Sequence, residues 1–205
     1  MNQRRETAQA ATNFVVVGVG GQGILLAADV LALVGMRIGL DVKKAEVHGM
    51  AQRGGSVISH VRWGEHVMSP LISAGEVDHL LAFERLEALR YAEMLRPGGT
   101  LLINDYRIAP ISVSSGNDIY PSDADEEKAY ASATVHRYCI QAMEMARELG
   151  QVRVNNVVML GTLSAFLDVP EDVWLEVISS RVPERYGEIN RKAFALGRTH
   201  TLGLL

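Results

Sequence analysis

Phe14-Val15-Val16-Val17 runs straight into Gly18-Val19-Gly20-Gly21-Gln22-Gly23, and that loop opens onto Ile24-Leu25-Leu26-Ala27-Ala28-Asp29-Val30-Leu31 and further helical periodicity ending near Gly39. An uninterrupted apolar run rich in β-branched residues is the pattern of a strand buried on both faces, which requires helices above and below the sheet. The glycines at 18, 20 and 23 satisfy G-x-G-x-x-G in the strand–turn–helix setting that gives this spacing meaning. Glycine lets the chain turn tightly and lets backbone N–H groups approach an anion, to which the helix N-terminus adds partial positive charge.

The rest of the chain extends an α/β pattern. Val42 to His48 and Val57 to Trp63 read as strands separated only by the eight residues Gly49 to Ser56. A parallel crossover needs about a dozen residues or more, so these two strands are predicted to be antiparallel neighbours. Val77 to Phe83 reads as a strand, Glu84 to Leu95 as a helix, Pro97-Gly98-Gly99 as a turn, and Thr100 to Ile103 as a buried strand ending at Asn104-Asp105. Residues 106–132 carry little pattern. Their acidic patch, Asp123, Asp125, Glu126 and Glu127, reads as a solvated loop and helix start. Val135 to Ile140 fits a last strand or the start of one longer helix. Gln141 to Leu149, Asn156 to Leu167, Pro170 to Ser180 and Glu184 to about Arg198 read as helices, with Gly150 as a stop and Pro170 and Pro183 at helix starts. Residues 1–13 are polar and expected to be flexible, leaving 14–205 as one domain. The expected fold class is α/β: a Rossmann-like mixed sheet with helices on both faces, an antiparallel strand pair and C-terminal helices.

Several function classes are excluded by composition. A net charge of −4 offers no basic field to a nucleic acid backbone. A lone cysteine, Cys139, cannot build a disulfide framework, a four-cysteine iron–sulfur site or a cysteine zinc site, and its apolar surroundings suggest a core thiol. Asp29 interrupts the apolar stretch after Gly23, so no run of about 18 apolar residues spans a membrane. No apolar core of a secretory signal precedes Phe14, and a cytoplasmic location is expected. His48, His60, His66 and His79 lack metal-ligand spacing, no G-x-S-x-G elbow is present, and Glu84 and Glu87 fit a helix start whose dipole they complement. No metal site and no complete catalytic set emerges.

Two glycine-rich loops are therefore the candidate sites. A dinucleotide reading of the first requires an acid about twenty positions on, at the end of the second strand. Asp41 precedes that strand and Glu46 lies inside it. A bound nucleotide or phosphate, a loop facing a partner or active-site mouth, and a plain packing turn all stay open. The second loop is His48-Gly49-Met50-Ala51-Gln52-Arg53-Gly54-Gly55. Arg53 there is suited to a bidentate clamp on phosphate or carboxylate, and a structural β-turn with a surface arginine is the competing reading. If the first two strands run the same way, both loops share one rim of the sheet.

GVGGQG at 18–23, AEVHGMAQRGGSVISHVR at 45–62, SPLISAGEVDHLLAFERLEALR at 69–90, NNVVMLG at 155–161 and PERYGEINRKAFALG at 183–197 together resemble the gamma-type domain of the 2-oxoacid:ferredoxin oxidoreductases. The resemblance covers roughly residues 14–197. Within that family the His48-Gly49-Met50-Ala51-Gln52 version of the second loop points to the indolepyruvate, or aryl-pyruvate, branch, where this domain is the beta subunit. The resemblance implies a large alpha-type partner carrying thiamine diphosphate and iron–sulfur clusters, oxidative decarboxylation of a 2-oxoacid to an acyl-coenzyme A, and electrons passing to ferredoxin. It implies no catalytic residue in this chain. Gly18, Gly20, Gly21, Gln22, Gly23, His48, Gln52, Arg53, Gly54 and Gly55 match the family pattern and are assigned to cofactor binding or interface, with no cofactor held firmly by this chain and coenzyme A as the candidate ligand. A stand-alone NAD-binding oxidoreductase, or a nucleotide sensor without turnover, is the alternative.

Overall fold

The computed structural model describes residues 11–48, 55–131 and 136–205. β1 (Thr12–Val19) is followed by α1 (Ile24–Arg37), β2 (Asp41–His48) and β3 (Ser56–Gly64). β4 (Val77–Ala82), α2 (Arg85–Tyr91), a 3₁₀ turn (Ala92–Met94) and β5 (Leu95–Asn104) come next. Then follow α3 (Ile111–Ser114), α4 (Asp123–Ala131), β6 (His136–Ile140), α5 (Ala142–Glu148), α6 (Asn155–Ser164), α7 (Glu171–Arg181) and α8 (Gly187–Leu202).

The six strands form one mixed sheet in the order β2-β3-β1-β4-β5-β6. β3 is antiparallel to both β2 and β1, as the short β2–β3 link requires, while β1, β4, β5 and β6 are mutually parallel. Because β3 lies between them, β2 and β1 point the same way. Side chains alternate between faces along β1: Phe14 and Val16 pack with α1, α6, α7 and α8, whereas Val15 and Val17 pack on the opposite side with Ala88 of α2 and Tyr130 of α4. Helices therefore cover both faces, as expected.

Local differences from the sequence reading have physical causes. Residues 95–99 belong to β5 as an irregularity, because pairing resumes at His79–Thr100 after shifting from Val77–Leu95. Asp41 is the first residue of β2 rather than preceding it. Cys139 is exposed, not a core thiol: β6 is the edge strand, and of its residues only Ile140 is buried. Glu126 is not solvated. It is 3% exposed and paired with Arg85, so the acidic patch supplies a buried anchor as well as a helix start. The expected strand start at Val135 lies outside the described residues, as does the N-terminus through residue 10.

Every residue of α6 is buried. It crosses α8 with the two backbones in contact: a Cβ on Gly161 would run into the carbonyl of Phe194, and one on Gly197 into the carbonyl of Val158. No rotamer can relieve such a clash, because the obstructing atoms are main chain. Elsewhere on this face His79 stacks on Phe14 at 5.4 Å between ring centroids, and burial holds its imidazole down to about pKa 4.

Two predictions follow from this packing. Gly161→Ala is expected to destabilise the protein by about 2–3 kcal/mol, lowering Tm by roughly 5–10 °C in a thermal melt. His79 is neutral in the folded chain but titrates near pH 6.5 when unfolded, so falling pH draws protons into the unfolded state. Wild-type stability is expected to drop, relative to His79→Phe, between pH 6.5 and about 4 in denaturant titrations.

Candidate functional site

The chain proceeds from β1 outward to β2 on one side and later to β4 on the other, so the sheet changes direction at β1 and leaves a crevice at the carboxyl ends of its strands. The first glycine loop closes that crevice. Gly18 and Val19 end β1, and Gly21 and Gly23 both take left-handed backbone angles, with φ of 106° and 83°. Gln22 is spent on the loop itself: its Oε1 accepts from Val19 N at 2.7 Å, and its Nε2 donates to Phe83 O at 2.8 Å. The amide thus braces the turn to the end of β4.

The second loop returns to the same rim. Gly20 N donates to Gly55 O at 2.9 Å, and Val19 pairs with Ser56 in the sheet. The Ser56 hydroxyl is held by Glu87 from below. Glu87 is 2% exposed, and burial raises its carboxyl above the usual range against the lowering pull of Ser56 and Arg90. His48 ends β2 at this edge. Gln52, Arg53 and Gly54 lie outside the described residues. The structure therefore joins the two predicted loops at Gly20 and Gly55.

A cleft of about 660 Å³ opens beside the first loop, lined in part by Gly20, Gly21, Gln22 and Gly23. Its far wall comes from residues that the sequence did not single out as site residues: Tyr106, Ile108, Arg153, Asn155 and Asn156. Two helices start here, α1 at Gly23 and α6 at Asn155, and neither has a side-chain cap. At α1 this leaves free N–H groups and a positive dipole end, whereas α6 is led into by a 3₁₀ turn (Val152–Val154) in which Gln151 accepts from Arg153 N and Val152 O from Asn155 N. Asn155 is 4% exposed; its Nδ2 donates to Val152 O at 2.7 Å, and its Oδ1 has no hydrogen-bond partner among the described residues. A buried acceptor left unpaired calls for a donor. Arg153 is exposed on the rim without an ion pair among the described residues. The cleft is thus suited to a ligand carrying an anionic group. The NN at 155–156 within the quoted NNVVMLG run was the available signal for this wall.

Other polar candidates have settled roles. Asp41 accepts from Lys43 and from Val67 N, and Glu46 pairs with Lys44, so neither is free as a ribose acceptor. His60 is 7% exposed and its Nδ1 accepts from Ile72 N at 3.4 Å. Glu84 caps α2 by accepting from Glu87 N, as a helix-start carboxylate should. Among the described residues no group of three or more His, Cys, Asp or Glu side chains is arranged to hold a metal ion. Gly23→Ala would place a Cβ 2.5 Å from Asn156 Nδ2 at a left-handed φ. It is expected to cost about 2 kcal/mol, read by chemical denaturation, and to push Asn156 off its position in the cleft.

Comparisons with known proteins place this geometry. Residues 13–200 match the family model described as pyruvate ferredoxin/flavodoxin oxidoreductase. The chain is 40% identical over 188 residues to indolepyruvate oxidoreductase subunit IorB of Thermococcus kodakarensis, covering 90% of this chain and 93% of that one. It is likewise 40% identical over 187 residues to the subunit of the same name from Archaeoglobus fulgidus, with 90% and 92% covered. Its structure superposes on the gamma subunit of a keto/oxoacid ferredoxin oxidoreductase from Geobacter sulfurreducens with a TM-score of 0.71 at 26% identity, over 94% of this chain and 99% of that one. The chain belongs to the pyruvate ferredoxin/flavodoxin oxidoreductase family.

Proposed function

We propose that this chain is the accessory, gamma-type subunit of a 2-oxoacid:ferredoxin oxidoreductase that acts on indolepyruvate or another arylpyruvate. The observation that carries the reading is the 40% identity, over nine-tenths of the chain, to subunits named for indolepyruvate oxidoreductase. Thiamine diphosphate and the iron–sulfur clusters belong to a larger alpha subunit, which passes electrons to ferredoxin. One cysteine cannot ligate a cluster. Thiamine supplies the carbanion chemistry when bound; this chain binds, orients and excludes water.

Its own ligand is the phosphate-bearing end of coenzyme A, seated in the cleft at the start of α1. The fit rests on residues of this chain. Gly21 and Gly23 turn the loop so that backbone N–H groups can meet phosphate, and Arg153 supplies charge at the rim. Gly18 and Gln22 hold the loop in shape, and Gly20 and Gly55 join it to the second loop; His48, Gln52, Arg53 and Gly54 of that loop are assigned to ligand or partner contact. Its site of action is taken to be the cytoplasm, and among the described residues no helix is long and apolar enough to cross a membrane.

Arg153→Ala and Arg53→Ala separate this reading from a purely structural loop. Both variants are expected to fold normally. In steady-state assays of the assembled complex, Arg153→Ala raises KM for coenzyme A roughly tenfold and leaves KM for the 2-oxoacid unchanged. Arg53→Ala lowers the activity of the complex. An unchanged KM for coenzyme A in Arg153→Ala would remove coenzyme A from this cleft.

A further inference from the structure

Residues 105–125 contribute nothing to the core: none of them is buried. Yet the segment is held firmly, and by three consecutive residues. Glu84 Oε1 accepts from Ile108 N at 3.0 Å and from the Tyr120 hydroxyl. Arg85 N donates to Tyr106 O at 3.0 Å, and its guanidinium reaches Asp105 at 2.9 Å, Asp123 at 2.8 Å and Glu126 at 2.7 Å. Leu86 N donates to the Tyr120 hydroxyl at 3.1 Å. Glu84 and Glu126 are 1% and 3% exposed, so carboxylates have been taken out of water to fix this segment. What it displays is apolar: Ile111 is 88% exposed and Ile119 is 87% exposed.

We infer that this segment is a docking arm, and that Ile111 and Ile119 insert into an apolar surface of the larger subunit. The inference rests on the accessory-subunit reading and names where that subunit sits. Relatives argue for this occupant. In the ketoisovalerate oxidoreductase subunit VorA of Methanothermobacter thermautotrophicus, the match takes in 73% of this chain but only 27% of that one, at 30% identity. The same fold forms 32% of a chain of the 2-oxoglutarate:ferredoxin oxidoreductase from Magnetococcus marinus, with a TM-score of 0.74. Those proteins carry the rest of their structure in the same chain; a separate chain must meet it through surface contact. The arm's position suits that role. Tyr106 and Ile108 at its foot are part of the cleft wall, and Val152, 45% exposed, lines the same cleft. A subunit seated on the arm would cover the cleft mouth and exclude water from it.

The test is association of purified Ile111→Asp/Ile119→Asp with the co-expressed larger subunit, measured by titration calorimetry beside the wild type. With no buried contact to lose, the variant is expected to melt with the wild type. Its affinity is expected to fall roughly a hundredfold, as the loss of two interface anchors would give. Ile111→Ser/Ile119→Ser serves as the milder pair should the aspartates disturb folding. Wild-type affinity in a folded variant overturns the arm and leaves the accessory-subunit reading standing. If the wild-type chain itself fails to bind the larger subunit, both readings fall. Hydrogen exchange supplies an independent measurement: amides of residues 109–119 exchange more slowly in the complex than in the free chain if the arm docks, and at the same rate if it does not.

Discussion

The link between β2 and β3 is too short to carry a parallel crossover, and the architecture of the functional edge follows from that restriction. β3 must turn back beside β2, and it then pairs with β1 on its other edge. Two reversals cancel, so β2 ends at the same rim as β1. The second glycine loop is thereby returned to the first, and the two are joined by a main-chain hydrogen bond from Gly20 to Gly55. The crevice lies where the sheet changes direction at β1, the place where open α/β sheets bind ligands.

The opposite wall of the cleft is set by packing on one face. α6 is buried along its whole length and is pressed onto α8 through Gly161 and Gly197. Backbone-to-backbone contact leaves little freedom to slide, which fixes where the start of α6 falls. It falls against the glycine loop, close enough that Asn156 fills the space a side chain on Gly23 would need. The start of α1, which has no side-chain cap, then faces the same volume as Asn155 and Asn156. A site of this kind favours negative charge.

Charge burial is concentrated on the other face. Glu84, Glu87 and Glu126 are each at most 3% exposed and are satisfied by backbone N–H groups, hydroxyls and arginines. Such groups stabilise little on net, because desolvation offsets most of the attraction. Their effect is positional: Glu87 holds the start of β3 beneath the second loop, while Glu84 and Arg85 hold the 105–125 segment at the cleft.

Much of this was legible in the sequence. The FVVV run, the glycine spacing and the eight-residue link predict the first strand, its loop and helix, and the antiparallel pair, because each depends on neighbours in the chain. Membership of the family was legible for the same reason, in contiguous motifs. Cys139 and Glu126 were misread, one placed in the core and the other in solvent, because burial depends on which strand ends a sheet and which arginine lies across a loop. The cleft wall at Arg153, Asn155 and Asn156 was equally hidden, since these residues stand 130 or more positions from the glycines they face. Local periodicity and turn chemistry determined the elements and the loop. Only tertiary packing, through the glycine contact of α6 with α8 and the side-by-side return of two loops, decided what the loop faces.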